Sequence, residues 1–391
     1  MRENVKFNPL GDFIDLIMGQ APLSKECNFN GQGTPFVKVG EFSVERPVIR
    51  EWTTNPLKLA RRTDVLLCVV GATCGKINLG EECAIGRSVA ALRPHPMKLD
   101  QYYLYYFMMT LIESLRSGAL GAAQTVISKG MIESLLIPNI PLPDQQRIVA
   151  ILDEAFEGIA TAKANAEKNL KNARALFDSY LNSVFSQRGE GWVEMRLGDI
   201  CELITKGSSP KWQGIDYVDK PGVLFITSEN VGEYQLLMGH PKFVEEAFNK
   251  KDKKSILRVG DVLTNIVGAS IGRTAIFELE DVANINQAVC LIRCKSSVLN
   301  NYFLTYLLNS PFLKQVLHAN EVNNARANLS LGFFSQLLVP LPSFSKQKEI
   351  VEQLDSLREE TQRLESIYQK KILALDALKK SILHQAFTGK L

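Results

Sequence analysis

The chain has 391 residues, of which 46% are hydrophobic and 22% charged, and its net charge at neutral pH is only +3. That length exceeds one ordinary domain, and the composition is globular, which excludes a disordered or collagen-like chain and a binder that relies on whole-chain positive charge. The parts of the chain between its long helices are also near charge balance, so any nucleic-acid surface must be a local patch.

The seven cysteines stand at 27, 68, 74, 83, 201, 290 and 294, with no C-x-x-C pair and no histidine cluster beside them. No metal site is expected, and the pattern suits reduced thiols in the cytoplasm. The amino-terminal MRENVKFNPLGDF has no signal-peptide core, and the apolar run Val65 to Ala72 is far too short to cross a bilayer. No membrane partner is expected.

In chain order, residues 1–143 read as a first globular domain that begins at Leu10-Gly11-Asp12. Strands are predicted at Pro35 to Val39, Asp64 to Val70 and Ser88 to Arg93, with a Gly-rich turn from Gly71 to Lys76. A helix is predicted over Asp100 to Leu115, then a glycine-rich loop from Ser117 to Ala123. The prolines from Pro138 to Pro143 forbid helix until Asp144 can cap the next element.

That next element, within 144–190, is a long helix through Phe185 with no proline inside it. At ~1.5 Å per residue it would span roughly 60 Å. Its apolar or small positions Ile148, Leu152, Ala155, Ile159, Ala162, Ala166, Ala173 and Leu176 follow a 4-3 step, interrupted by Asn169. Such a step is a coiled-coil seam.

The whole order then recurs. Residues 191–343 read as a second domain, with Leu197-Gly198-Asp199 at its start and a second proline exit at Pro340. DVLLCVVGATCGK at Asp64 matches DVLTNIVGASIGR at Asp261 in seven of thirteen positions. Residues 344–391 repeat the long helix in register, with seam positions Ile350, Leu354, Thr361, Leu364, Leu375 and Leu378. An internal duplication is the reading this supports. The expected fold is therefore α+β: two similar globular domains separated by two long coiled-coil helices.

Connectivity argues that these helices run antiparallel. A body of ~150 residues is only about 40 Å across, and parallel helices would hold its two ends roughly 60 Å apart. Antiparallel packing places one domain at each end of the rod, related by an approximate two-fold axis. Pairing about the midpoints would set Asn169 against Thr361 as a buried polar contact.

Chemistry is mostly absent from the sequence. The turn Gly71 to Lys76 falls one residue short of a phosphate loop, and Ile77 stands where its hydroxyl should be. Paired acids such as Glu81-Glu82 and Glu359-Glu360 read as solvated pairs, and no Asn-Pro-Pro-aromatic methylation element occurs. No catalytic residues are assigned. What remains are basic and amide side chains at equivalent points of the two domains: Lys76, Arg87, Gln124 and Lys129 in the first. The second offers Lys206, Ser208, Lys211, Arg273, Asn286, Gln287 and Arg326. Such side chains contact phosphates and make bidentate bonds to base edges, which makes these loops candidates for DNA readout.

Taken together, the two Leu-Gly-Asp starts, Trp192 before the second, and Gly-x-x-x-Gly-[Lys/Arg] at 71–76 and 268–273 resemble a known family. So do Gln145 and Gln347 heading the long helices, and the ending from Gln385 to Leu391. The family is the DNA-specificity subunit of Type I restriction–modification systems. The resemblance implies two target-recognition domains, each reading half of a bipartite double-stranded DNA sequence, with the helices as the ruler between them. It also implies docking of two adenine-N6 methyltransferase subunits, which carry S-adenosylmethionine, and a restriction/translocase subunit that joins for cleavage. Divergence at Lys38-Val39-Gly40-Glu41 against Thr227-Ser228-Glu229-Asn230 implies unequal half-sites. The alternatives are a cytoplasmic coiled-coil scaffold with two protein-binding domains and no DNA role, and a self-contained enzyme using the Gly turns for a nucleotide.

Overall fold

The computed structural model describes residues 6–118, 126–219, 222–320 and 328–388. The chain forms two compact units, Met1–Glu167 with Lys370–Leu391, and Lys168–Gln369. Each unit therefore holds one globular domain and about half of each long helix.

In the first unit an antiparallel sheet runs in the order Ile14–Met18, Val89–Pro94, Val65–Cys68, Ile77–Leu79. Of its two inner strands, Val65–Cys68 is apolar throughout because both faces are covered. Val65 and Leu67, with Ala90 and Leu92, face a core shared with Tyr103, Leu104 and Phe107 of the helix Gln101–Thr110. Leu66 and Cys68, with Val89 and Ala91, face a core shared with Val37, Cys83 and Ile85 of a second sheet. Period-two alternation thus sorts one strand between two cores. The second sheet contains a parallel pair, Thr34–Val37 beside Cys83–Ile85.

The second unit repeats this plan. Its antiparallel sheet is ordered Cys201–Lys206, Val289–Cys294, Val262–Asn265, Thr274–Ile276, and Val223–Ile226 runs parallel to Ala283–Ile285. In each domain a two-stranded ribbon joins the start to the proline exit: Phe7–Pro9 with Leu136–Pro138, and Val193–Arg196 with Leu338–Leu341.

The duplication extends to buried polar joints. Arg93 forks onto Asp64 through two bonds of 2.9 Å, and Arg293 onto Asp261 at 2.7 and 2.6 Å. Each aspartate also accepts from a backbone N–H, Arg61 at 2.8 Å and Arg258 at 2.7 Å. Gln145 accepts from Asp100 N–H at 2.8 Å and donates to the carbonyls of Lys98 and Ile140, both at 2.9 Å. Gln347 makes the matching three bonds, to Asn300, Val298 and Pro342. Tyr106 donates to Asp153 and Tyr306 to Asp355, so both long helices are fastened to their own domain by the same two side chains. Burial of these phenols, then the carboxylate beside each, pushes both well above the ordinary phenol value.

The long helices span Leu142–Gln187 and Phe344–Phe387. The first begins two residues before the expected cap at Asp144, because a proline in the first turn loses only an N–H that has no helical partner anyway. The predicted helix from Asp100 is interrupted at Leu111, with Gln101–Thr110 followed by Ile112–Gly118. Within each unit the two long helices are antiparallel. In the first unit Lys163 pairs with Asp376 at 2.7 Å while the earlier Phe156 meets the later Lys379. In the second, Arg174 pairs with Glu365 at 2.8 Å and the later Tyr180 reaches the earlier Gln353.

The seam departs from its predicted course at three positions. Ile148, Leu152, Ile159, Ile350, Leu354 and Thr361 are buried, and Leu364 and Leu375 half-buried. Asn169, Leu176 and Leu378 are exposed. Thr361 is satisfied by its own helix, donating to the carbonyls of Leu357 and Arg358, so the proposed Asn169–Thr361 contact does not form. The buried stripe keeps the predicted Ala166 and Ala173 and then runs through Phe177, Leu181 and Phe185. A straight helix drifts about 20° per heptad from a 3.5-residue repeat. Over these turns the drift moves the buried face one residue on, to where Phe177, Leu181 and Phe185 join the core of the second domain.

Candidate nucleic-acid interface

Both Gly turns close as tight connections between antiparallel strands. In the first unit Gly75 donates to Cys68 O at 2.8 Å with φ of 87°, and in the second Gly272 donates to Asn265 O at 2.9 Å with φ of 84°. Left-handed backbone at this point explains the glycines. Lys76 and Arg273 follow as exposed side chains at the turn exit, a place that suits a phosphodiester contact and makes no nucleotide cradle.

A second glycine pair fixes the rim of each reading loop. A Cβ on Gly19 would stand 2.3 Å from Gly86 O, and one on Gly207 1.7 Å from Ile285 O. The loop leaving the first strand is thereby pressed against the loop entering the Val89 or Val289 strand. Gly19-Gln20-Ala21-Pro22 and Gly207-Ser208-Ser209-Pro210 are structural counterparts, and so are Arg87 and Gln287.

In the first unit this juxtaposition opens a groove of about 1450 Å³. Its lining includes Pro22, Ser24, Phe29, Lys38, Glu51, Gly71, Arg87 and Val126, but not Lys76 or Lys129. Lys38 reaches across to the buried Glu51 and lies over the Phe36 ring at 5.5 Å. Phe29 is 79% exposed. Burial, then the Glu51 carboxylate, push the Cys27 thiol in this groove above its ordinary value. It is a neutral thiol, not a nucleophile. Lys129 instead forms an i,i+4 pair with Glu133 at 3.4 Å.

In the second unit Lys206 ends its strand opposite Cys290, and Ser208 donates its hydroxyl to the buried carboxylate of Asp252 while accepting from Gln213 at 2.6 Å. Lys211 and Trp212 belong to a single 3-10 turn, Lys211–Gln213, ended by Gly214 at φ 64°. Trp212 is 82% exposed. Asn286 is spent on local structure, accepting from Ala288 N–H at 3.0 Å. The amide oxygens of Gln287 and Gln213 are buried without a hydrogen-bond partner. Gln124 and Arg326 lie outside the described residues.

The divergent stretch singled out in the sequence is one turn built two ways. Glu41 accepts from Lys38 N–H at 2.9 Å, and Asn230 accepts from Thr227 N–H at 3.0 Å. The turn is kept while its first side chain changes from a lysine that lines the groove to a threonine that is buried against Asn230. Sequence reasoning missed Glu51, Phe29 and Trp212, since nothing in their spacing separates them from ordinary loop residues. Only the loop pairing brings them to the site. Among the described residues no group of three His, Cys, Asp or Glu is arranged to hold a metal ion, and no helix is long and apolar enough to cross a membrane.

With this geometry in hand, the comparisons with known proteins are specific. The profile of the family described as Type I restriction modification DNA specificity domain matches residues 2–172 and 189–373. The chain is 24% identical to the Type I restriction enzyme MjaVIII specificity subunit of Methanocaldococcus jannaschii, over 98% of this chain and 92% of that one. It is 23% identical to the EcoBI specificity subunit of Escherichia coli, over 84% and 73% respectively. Among solved structures, the fold is similar to a chain from work on complex assembly and conformational transition of the type I R-M system, at a TM-score of 0.80 and 20% identity over 99% of this chain and 98% of that one. It is also similar to the HsdS subunit from Thermoanaerobacter tengcongensis, at a TM-score of 0.67 and 20% identity over 99% and 97%.

Proposed function

The chain belongs to the Type I restriction–modification DNA-specificity family, and from that premise we propose that its two units read the two unequal halves of a bipartite target in double-stranded DNA. It is the DNA-sequence-recognition subunit of its system. The observation that carries the finer reading is the turn at Lys38 and Thr227: one scaffold, duplicated to its buried ion pairs, sends a lysine into the groove in the first unit and folds a buried threonine onto Asn230 in the second. A duplicated frame with divergent rims is what two readers of different sequences require, since backbone contacts position and side chains at base edges specify.

In this reading the long helices set the unread spacer and dock two methyltransferase subunits. S-adenosylmethionine is held by those subunits and the adenine-N6 chemistry is theirs. A restriction/translocase subunit joins for cleavage, and the assembly works in the cytoplasm. This chain contributes recognition without catalysis.

Single-molecule sequencing of adenine methylation in cells that express the system tests the proposal. Two different half-sites separated by a fixed unread gap are expected. Replacing residues 10–138 with the corresponding segment of another specificity subunit should change one half-site and leave the other. A single continuous motif, or none that depends on this chain, would overturn the reading and favour a scaffold with no DNA role.

A further inference from the structure

Resting on that reading, we infer that the second unit carries a phosphate-binding platform beside its reading loop, built from Lys250, Lys253 and Lys254 around Lys211 and Trp212, which anchors the protein on duplex DNA whatever its sequence. The segment from Asn249 to Lys254 holds four lysines and one acid. All four lysines are exposed, on the last turn of the helix Ala247–Lys251 and the single turn Lys253–Ser255 that follows it. The acid, Asp252, is withdrawn: it is only 4% exposed, and its carboxylate takes the Ser208 hydroxyl. The fold thus withdraws Asp252 from the surface and leaves the ammonium groups facing solvent, with Glu245 and Glu246 exposed at the opposite end of the short helix. Among the described residues none of Lys211, Lys250, Lys253 and Lys254 has a carboxylate partner.

The platform is joined to the reading loop at both ends. Ser208 of that loop holds Asp252, and the Lys251 ammonium donates to Gln213 O at 2.7 Å. Trp212 lies five residues beyond Gly207, as the groove residue Ser24 lies five beyond Gly19, so the platform borders the rim that corresponds to the first unit's groove. Clustered, unpaired lysines are the chemistry that meets a polyanion, the phosphate backbone of a duplex, and the exposed indole beside them lies where it reports the approach of that backbone. The first unit has no counterpart: the stretch before Arg61, which matches the stretch before Arg258, reads Thr54-Asn55-Pro56-Leu57 and carries one lysine, Lys58.

The test measures binding of the full chain, assembled with its methyltransferase subunits, to a mixed-sequence DNA duplex across a series of salt concentrations. Lys250, Lys253 and Lys254 are changed together to Gln, and Lys251 is kept because it braces Gln213. The slope of log affinity against log salt should fall by about 0.9 for each lysine that touches phosphate, roughly 3 in all. Lys58→Gln should remove no more than about 0.9. Trp212 emission should be quenched when DNA is added, and that quenching should be lost in Trp212→Phe. A triple variant with the wild-type slope, in a chain whose own binding is salt-dependent, overturns the platform alone. Wild-type protein that shows no salt-dependent binding overturns both the platform and the DNA-reading role it rests on.

Discussion

In the first unit Lys38 leaves its parallel strand and reaches a buried glutamate across an open groove; in the second, Thr227 at the same point turns its hydroxyl onto Asn230 at 2.9 Å. Beneath these two surfaces the forked Arg–Asp pair, the glutamine at the helix start and the Tyr–Asp contact recur almost atom for atom. The difference teaches where the constraints lie. Buried polar groups are costly to leave unpaired, so a duplicated frame keeps its joints together or loses them together. Side chains at the loop rims belong to no joint shared by the two units and are free to diverge.

The comparison breaks first, and hardest, at the ion pairs. Asp64→Ala and Asp261→Ala each strand a largely buried guanidinium and a backbone N–H, and each should cost about 3–5 kcal/mol in its own unit. Denaturant unfolding of the full chain should show two similar losses, and a large loss in one unit with almost none in the other would mean the frames are not equivalent. Next come the rim glycines. Gly207→Ala should destabilise more than Gly19→Ala, because its Cβ meets backbone at 1.7 Å against 2.3 Å. Penalties of about 1–3 kcal/mol or more are expected, read as a lower thermal midpoint together with loss of one half-site.

Lys38→Thr sharpens the contrast, and it also leaves the buried Glu51 without its ammonium partner, so it should lower the stability of the first unit. It should relax or change one position of a single half-site by about 1–3 kcal/mol of base discrimination, read from the methylated motif, with the other half-site unchanged. The smallest effect is expected on the helices. Lys163→Ala and Arg174→Ala each remove a surface ion pair, so each should lower the thermal midpoint only slightly, and less again in high salt.

Much of the frame was legible in the sequence because buried elements repeat their pattern. Asp64 to Lys76 and Asp261 to Arg273 announce the same strand and turn, and the structure builds them so. The helix seam was legible toward the start of each helix and misread at Asn169, Leu176 and Leu378, where a strict heptad and the true helical period part company. The reading site was legible in outline only. Arg87, Ser208 and Lys211 could be placed at equivalent loops, whereas Glu51 and Phe29 reach the groove through strand pairings that no local pattern encodes. The lysines after Asn249 were visible but diluted, since charge summed over a whole domain hides a patch whose one acid folds inward.

The ribbons that tie Phe7–Pro9 to Leu136–Pro138 and Val193–Arg196 to Leu338–Leu341 have an evolutionary consequence. Each seats the strand leading into a domain against the strand leading out, so the flanking helices meet the same two anchoring points whatever lies between. A gene that recombined at those borders would exchange one recognition cassette for another and leave the helical chassis in register. New specificities can then arise by shuffling whole modules, with no stepwise rebuilding of a reader.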